Sequence, residues 1–143
     1  KHPVPNDIRR IAERVSGIQL RWYITDWTQT TNTIDYAIKE VVSTNKGAKV
    51  NLDRIGMIPM PLDVLIEYTD GTQEMHYIPT TLMRGEKENP YSLPWNIEQD
   101  WSWANPKYSF SIARKAKDIE LITIDPSYYM ADVDRDNNTY QNE

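Results

Sequence analysis

Cysteine is absent from the 143 residues, which excludes disulfides, thiolate metal sites and a Cys nucleophile together. It leaves the compartment open, because many secreted chains also lack Cys. Glycine is scarce, five in all, so a phosphate-cradling Gly-rich loop has nothing to be built from. There are two histidines. His2 sits at the start and His76 in a strand-like run whose side chains alternate between faces, so no pair shares a helical zinc spacing. No nucleophile turn accompanies them, and a Ser-His-Asp arrangement has no support. A lone strand His is read as a surface or satisfied core residue. No apolar run approaches bilayer-spanning length, so no membrane partner is expected. The 16 basic side chains are scattered among 21 acidic ones, for a net charge of -5, and the basic footprint of a nucleic-acid binder is missing. Internal repeats and low-complexity tracts are also absent. The chain opens on Lys1-His2-Pro3 rather than Met and is expected to be a fragment, so a signal peptide is not readable from it.

What is present is ordinary globular composition, 39% hydrophobic and 26% charged, at a length that suits one main core. Asn6 is a plausible helix cap, and Ile8, Ile11, Ala12 and Val15 then fall on one helical face until Gly17 ends the run. Ser16 with Gln19 has capping-box spacing, and Leu20, Tyr23, Ile24 and Trp27 repeat the pattern in a second short helix. The polar stretch Thr28 to Thr33 breaks the helical period. The boundary therefore divides a helical segment, residues 1–30, from a β domain, residues 31–143.

Alternation then predicts strands at Thr33 to Val42 and Lys49 to Ile55. Between Val64 and Ile78, Asp70-Gly71 supplies the positive backbone angles of a tight hairpin. The Pro- and Trp-rich stretch from Arg84 to Pro106 is a long loop or holds one short strand. Lys107 to Ile112 and Ile119 to Ile124 are two more strands about a basic turn. The expected class is mainly β, an antiparallel sandwich of about seven strands preceded by two short α-helices.

Two stretches invite a chemical reading. Asp132, Asp134 and Asp136 offer side-chain oxygens at alternate places, with Asn138 for a backbone carbonyl and Glu143 for a closing bidentate carboxylate, the spacing of a calcium loop. Against it, Asn137 stands where the loop needs Gly, and no exiting helix follows, so a solvated terminus that frays is the competing reading. Trp95, Trp101 and Trp103, with Tyr91 and Tyr108, could form an aromatic platform for a sugar ring. Interleaved with Pro90, Pro94 and Pro106, they fit equally a loop folded back onto the core, where each ring buries about 150 to 250 Å².

The run from Val15 to Trp27, VSGIQLRWYITDW, resembles an element near the end of the catalytic domain in zinc aminopeptidases of the aminopeptidase N type. The run from Thr33 to Ile38 resembles the first strand of the sandwich that follows there. Arg54 to Val64 (RIGMIPMPLDV), Tyr77 to Glu86 (YIPTTLMRGE) and Ile124 to Asn138 (IDPSYYMADVDRDNN) resemble the carboxy-terminal region of a bacterial branch of that family. Together these matches cover nearly the whole chain.

The resemblance implies an Ig-like sandwich, a helical segment closing a catalytic domain, and a parent that is periplasmic or secreted. It also implies zinc held in the parent by a His-Glu-x-x-His helix and a downstream Glu. This sequence contains no such helix, so no catalytic, cofactor or metal residue carries over. In the resemblance the Asp-rich end is the exit from a last strand. The expected partner is the parent's metallopeptidase domain, with self-association through the Trp22, Ile24 and Trp27 face when that domain is missing.

Overall fold

A computed structural model describes residues 2–142. Two helices lead into eight strands arranged as two sheets. The first helix, α1 (Pro5–Ser16), starts two residues earlier than its sequence suggested. Val4 is the N-cap and Pro5 occupies the first turn, where a missing N–H costs nothing. Asn6 instead accepts from Arg9 at 2.6 Å, while Asp7 accepts the Val4 N–H at 3.1 Å. The helix closes at Gly17, whose N–H bonds the Glu13 carbonyl. α2 (Arg21–Gln29) follows without the anticipated capping box. Ser16 turns back to the Ala12 carbonyl, and the Leu20 N–H goes to Glu13 Oε1 at 3.0 Å.

The smaller sheet has order β1-β2-β6, from β1 (Tyr36–Thr44), β2 (Gly47–Arg54) and β6 (Lys107–Ile112). The larger has order β5-β4-β3-β7-β8. It is made of β3 (Leu62–Tyr68), β4 (Gln73–Ile78), β5 (Trp95–Ile97), β7 (Ile119–Ile124) and β8 (Thr139–Gln141). The chain changes sheet after β2, after β5 and after β6, which gives the Greek-key crossings of an Ig-like sandwich. Pairing is antiparallel except where β5 lies parallel to β4. That short strand sits inside the Pro-rich loop, as the sequence allowed.

Period-2 alternation explains the core. Val50 and Leu52 of β2 face Val64 and Ile66 of β3 and Ile122 and Ile124 of β7 within one buried cluster. Each such side chain contributes about 1.5 to 3 kcal/mol when fully removed from water. The β3–β4 turn uses positive φ at Gly71 alone, 81°, with Asp70 in ordinary space. The Gly71 N–H reaches the Tyr68 carbonyl and the Tyr68 N–H reaches Thr72, so the hairpin is a three-residue loop with a left-handed third residue.

The acidic end does not fray among the described residues. Asp134 caps a 3-10 turn, Arg135–Asn137, and the chain then adds β8 against β7. Asn138 is 2% exposed. Eight strands result where about seven were expected, because the last one has too few apolar residues to show a period.

Candidate functional site

α1 carries its apolar residues on the wrong side for a helix that belongs to this core. Ile8, Ile11 and Val15 are 62%, 64% and 82% exposed, and Val4 continues their stripe. The side turned to α2 is polar. Pro5, Asn6 and Arg9 line a shallow groove with Arg21, Ile24 and Thr25, and Glu13 accepts from the start of α2. An amphipathic helix gains its stability by burying its apolar face, and here the sandwich does not supply the burial.

The helices meet the sandwich lightly. The Gln19 N–H donates to the Met83 carbonyl at 2.8 Å, and Ile18 packs close to Gly85. Trp22, Tyr23 and Ile24 are half-buried, and Trp22 meets Tyr23 edge-on at 5.7 Å. Trp27 is 45% exposed. Of the face named for self-association, therefore, only Trp27 is well exposed. The larger free apolar surface is on α1, which the one-face pattern located without revealing which way it would point.

The calcium-loop residues are engaged elsewhere. Asp132 gives one oxygen to the Tyr36 N–H and the other to the Asp134 N–H, each at 3.0 Å. Asp134 accepts the Asp136 N–H at 3.2 Å. The Asn138 carbonyl, the supposed ligand, accepts the Ile124 N–H in the sheet. Glu143 lies outside the described residues. Among those described, no group of three or more His, Asp or Glu side chains is arranged to hold a metal ion. Asp132 and Asp134 make successive local turns, each side chain capping the amide two residues on.

The five aromatics of the sugar-platform reading do not make one exposed strip. Trp101 is 4% exposed, stacks on Tyr108 at 5.0 Å and meets Tyr36 edge-on at 5.4 Å. Trp95 stacks on Tyr77 at 5.2 Å, with Tyr91 beside it, and Lys87 Nζ lies 5.3 Å over the Tyr77 ring. Only Trp103 is largely exposed. The loop from Arg84 to Pro106 thus lays a second apolar layer on the outer face of β3 and β4, which is why Met75 and Tyr77 are buried although they point away from the sandwich interior.

Two polar clusters were not visible in the sequence, because each is closed by bonds between residues 22 to 28 positions apart. Asp63 accepts from Lys87 Nζ at 2.6 Å and from the Tyr91 hydroxyl at 2.9 Å, all on Oδ2, and burial pushes the Tyr91 phenol up to about 12. His76, buried, holds Glu98 at 2.7 Å through Nδ1 and meets the Phe110 ring at a tilt, centroids 4.8 Å apart. Its other nitrogen faces Glu74 Oε1 at 3.3 Å. Glu74 also accepts from the Tyr68 hydroxyl and from Asn96. Burial works to raise the Glu74 carboxyl, and these donors outweigh it and hold it below the usual range. The second cluster is a polar knot between β4 and its neighbours, in which His76 Nε2 is buried without a hydrogen-bond partner.

The fold and its free helical face define an Ig-like sandwich with an amphipathic preface. No family model, curated protein or solved structure matches the chain.

Proposed function

We propose that this chain is a non-catalytic domain of a zinc-dependent aminopeptidase, a sandwich that braces the metallopeptidase domain of the parent enzyme through the helical segment. The observation that carries the docking role is the orientation of α1, polar side inward and Ile8, Ile11 and Val15 outward, beside a sandwich whose own core is complete without them. Covering those side chains releases about 1.5 to 3 kcal/mol apiece, enough to order a helix that is too short to persist alone. The partner's identity is supported by the resemblance of residues 15–27, 54–64, 77–86 and 124–138 to the carboxy-terminal region of such enzymes. In this reading the zinc and the general base belong to the parent's other domain. This chain supplies rigidity and a docking surface. Without the partner, the stripe on α1 with Trp27 drives self-association.

The test is titration of the chain against the metallopeptidase domain encoded in the same reading frame, followed by calorimetry. Binding that disappears in Ile11→Glu supports the reading. A frame lacking a His-Glu-x-x-His helix, or binding unchanged by Ile11→Glu, overturns it, as does hydrolysis of aminoacyl amides by the chain alone.

A further inference from the structure

At one end of the larger sheet a cleft of about 500 Å³ opens between the loop bearing Lys87 to Tyr91 and the turn that follows β7. That volume lies within the usual range for ligand sites. Its walls are Met60, Pro61, Pro90, Tyr91 and Tyr129, with Asp63 at the floor. Both walls are fixed by buried carboxylates. Asp63 holds Lys87 and Tyr91, as described above. Asp125, 7% exposed and at φ 49°, accepts from the Ser127 hydroxyl and from the Tyr129 and Met130 amides, and pairs with Arg135 at 2.8 Å. This network sets the turn rigidly and leaves Tyr129 93% exposed at the rim. The wall that bears Tyr129 is thus formed before anything enters the cleft.

The floor is chemically incomplete. Asp63 is 9% exposed, and both of its donors fall on Oδ2; Oδ1 is buried with no partner. A buried carboxylate oxygen without a donor is costly, and such groups are ordinarily satisfied. The cations nearby are already committed, Lys87 to Asp63 and Arg135 to Asp125, so an anionic guest meets no free positive charge in the cleft. A cationic guest that displaces Lys87 meets an unsatisfied acceptor, two phenol rings, two methionines and a chain of net charge -5.

We propose that the cleft binds an arginine side chain of a peptide segment, the guanidinium donating to Asp63 and its stem lying between Tyr91 and Tyr129. Arginine fits better than lysine because its planar fork stacks on aromatic faces and can share a carboxylate whose other oxygen is occupied. Entry requires Lys87 to swing aside, and its side chain is 39% exposed, while Asp63 is held by β3.

The experiment is an amide-resolved NMR titration of the whole chain with acetyl-Ala-Arg-Ala-amide. Matched peptides carry citrulline, which keeps the shape and loses the charge, or norleucine, which keeps only the stem. The expected result is shifts at Asp63, Tyr91, Tyr129 and Met130 with the arginine peptide, and binding about tenfold weaker with citrulline, the size of one charged hydrogen bond. Tyr129→Ala, a change at an exposed position, weakens arginine binding about threefold through the lost ring contact. Asp63→Asn abolishes the preference over citrulline; where that variant fails to fold, the Tyr129→Ala result decides. Equal response to arginine and citrulline, preference for norleucine, shifts confined to other regions, or an unchanged affinity in Tyr129→Ala each overturns the proposal. These outcomes do not depend on docking through α1, which Ile11→Glu tests separately.

Discussion

Asp132 Oδ2 accepts the backbone N–H of Tyr36 at 3.0 Å, a bond that spans 96 positions of sequence. Alongside it the Val133 N–H reaches the Ile34 carbonyl, and Asn137 reaches the Asp35 carboxylate at 2.9 Å. The acidic end is thereby stapled to the start of β1. Asp132→Ala leaves the Tyr36 amide without a partner next to a buried ring and is expected to cost about 1 to 3 kcal/mol. Asp132→Asn, which keeps an acceptor, should cost less. Urea midpoints of the two variants against the parent check this, and equal losses would show that the hydrogen bond is not the source.

Gly56 sits where β2 leaves the sheet beneath residues 33–35. A Cβ at this position would lie 2.4 Å from the Thr33 carbonyl oxygen and 2.5 Å from the Asp35 nitrogen, and both are backbone atoms that cannot rotate away. Gly56→Ala is expected to destabilise by about 1 to 3 kcal/mol or more, as overpacking does. Thermal melts measure it. A melting temperature within a degree or so of the parent would show that the crossing accommodates the added carbon.

Trp101 and Trp103 are two residues apart and differ completely in burial. Trp101 donates its indole N–H to the Asn105 carbonyl at 2.7 Å and packs between Tyr36 and Tyr108. Trp101→Ala should cost about 3 to 5 kcal/mol, the range for a buried aromatic. Trp103→Ala should stay within about 0.5 kcal/mol. Denaturation of both variants, followed by circular dichroism, separates the two roles.

Glu74 sets a pH dependence whose sign follows from its donors. Tyr68, His76 and Asn96 favour the ionised carboxylate in the folded state and hold its titration below that of an unfolded Glu. The stabilisation is therefore complete above the unfolded pKa, about 4.3, and is lost as pH falls through the lower folded value. Glu74→Gln should be less stable than the parent at neutral pH, with the gap closing below about pH 4. Stability curves from pH 7 to pH 2 show it; a gap that persists unchanged at the acid end would assign the loss to packing.

Much of the sandwich was legible because it rests on local rules. Alternation placed β1, β2, β6 and β7 to within about three residues, and Asp70-Gly71 located the hairpin, although the turn has positive φ only at its glycine. β8 was invisible. Thr139, Tyr140 and Gln141 carry too little apolar signal to announce a strand, and they pair because β7 offers a free edge. The same limit hid Asp63, Lys87 and Tyr91. A carboxylate, an amine and a phenol scattered over 28 positions have no spacing to recognise until the loop folds onto the sheet.

By itself the sequence determined the class of the fold, the two helices, the hairpin and the absence of thiol and phosphate-loop chemistry, because period, turn chemistry and composition act over neighbouring residues. Only tertiary structure decided which way α1 faces, which of five aromatics are buried, and that the Asp-rich end is a strand and a staple. Those outcomes depend on what surface remains uncovered after the two sheets close, a quantity no local stretch of chain contains.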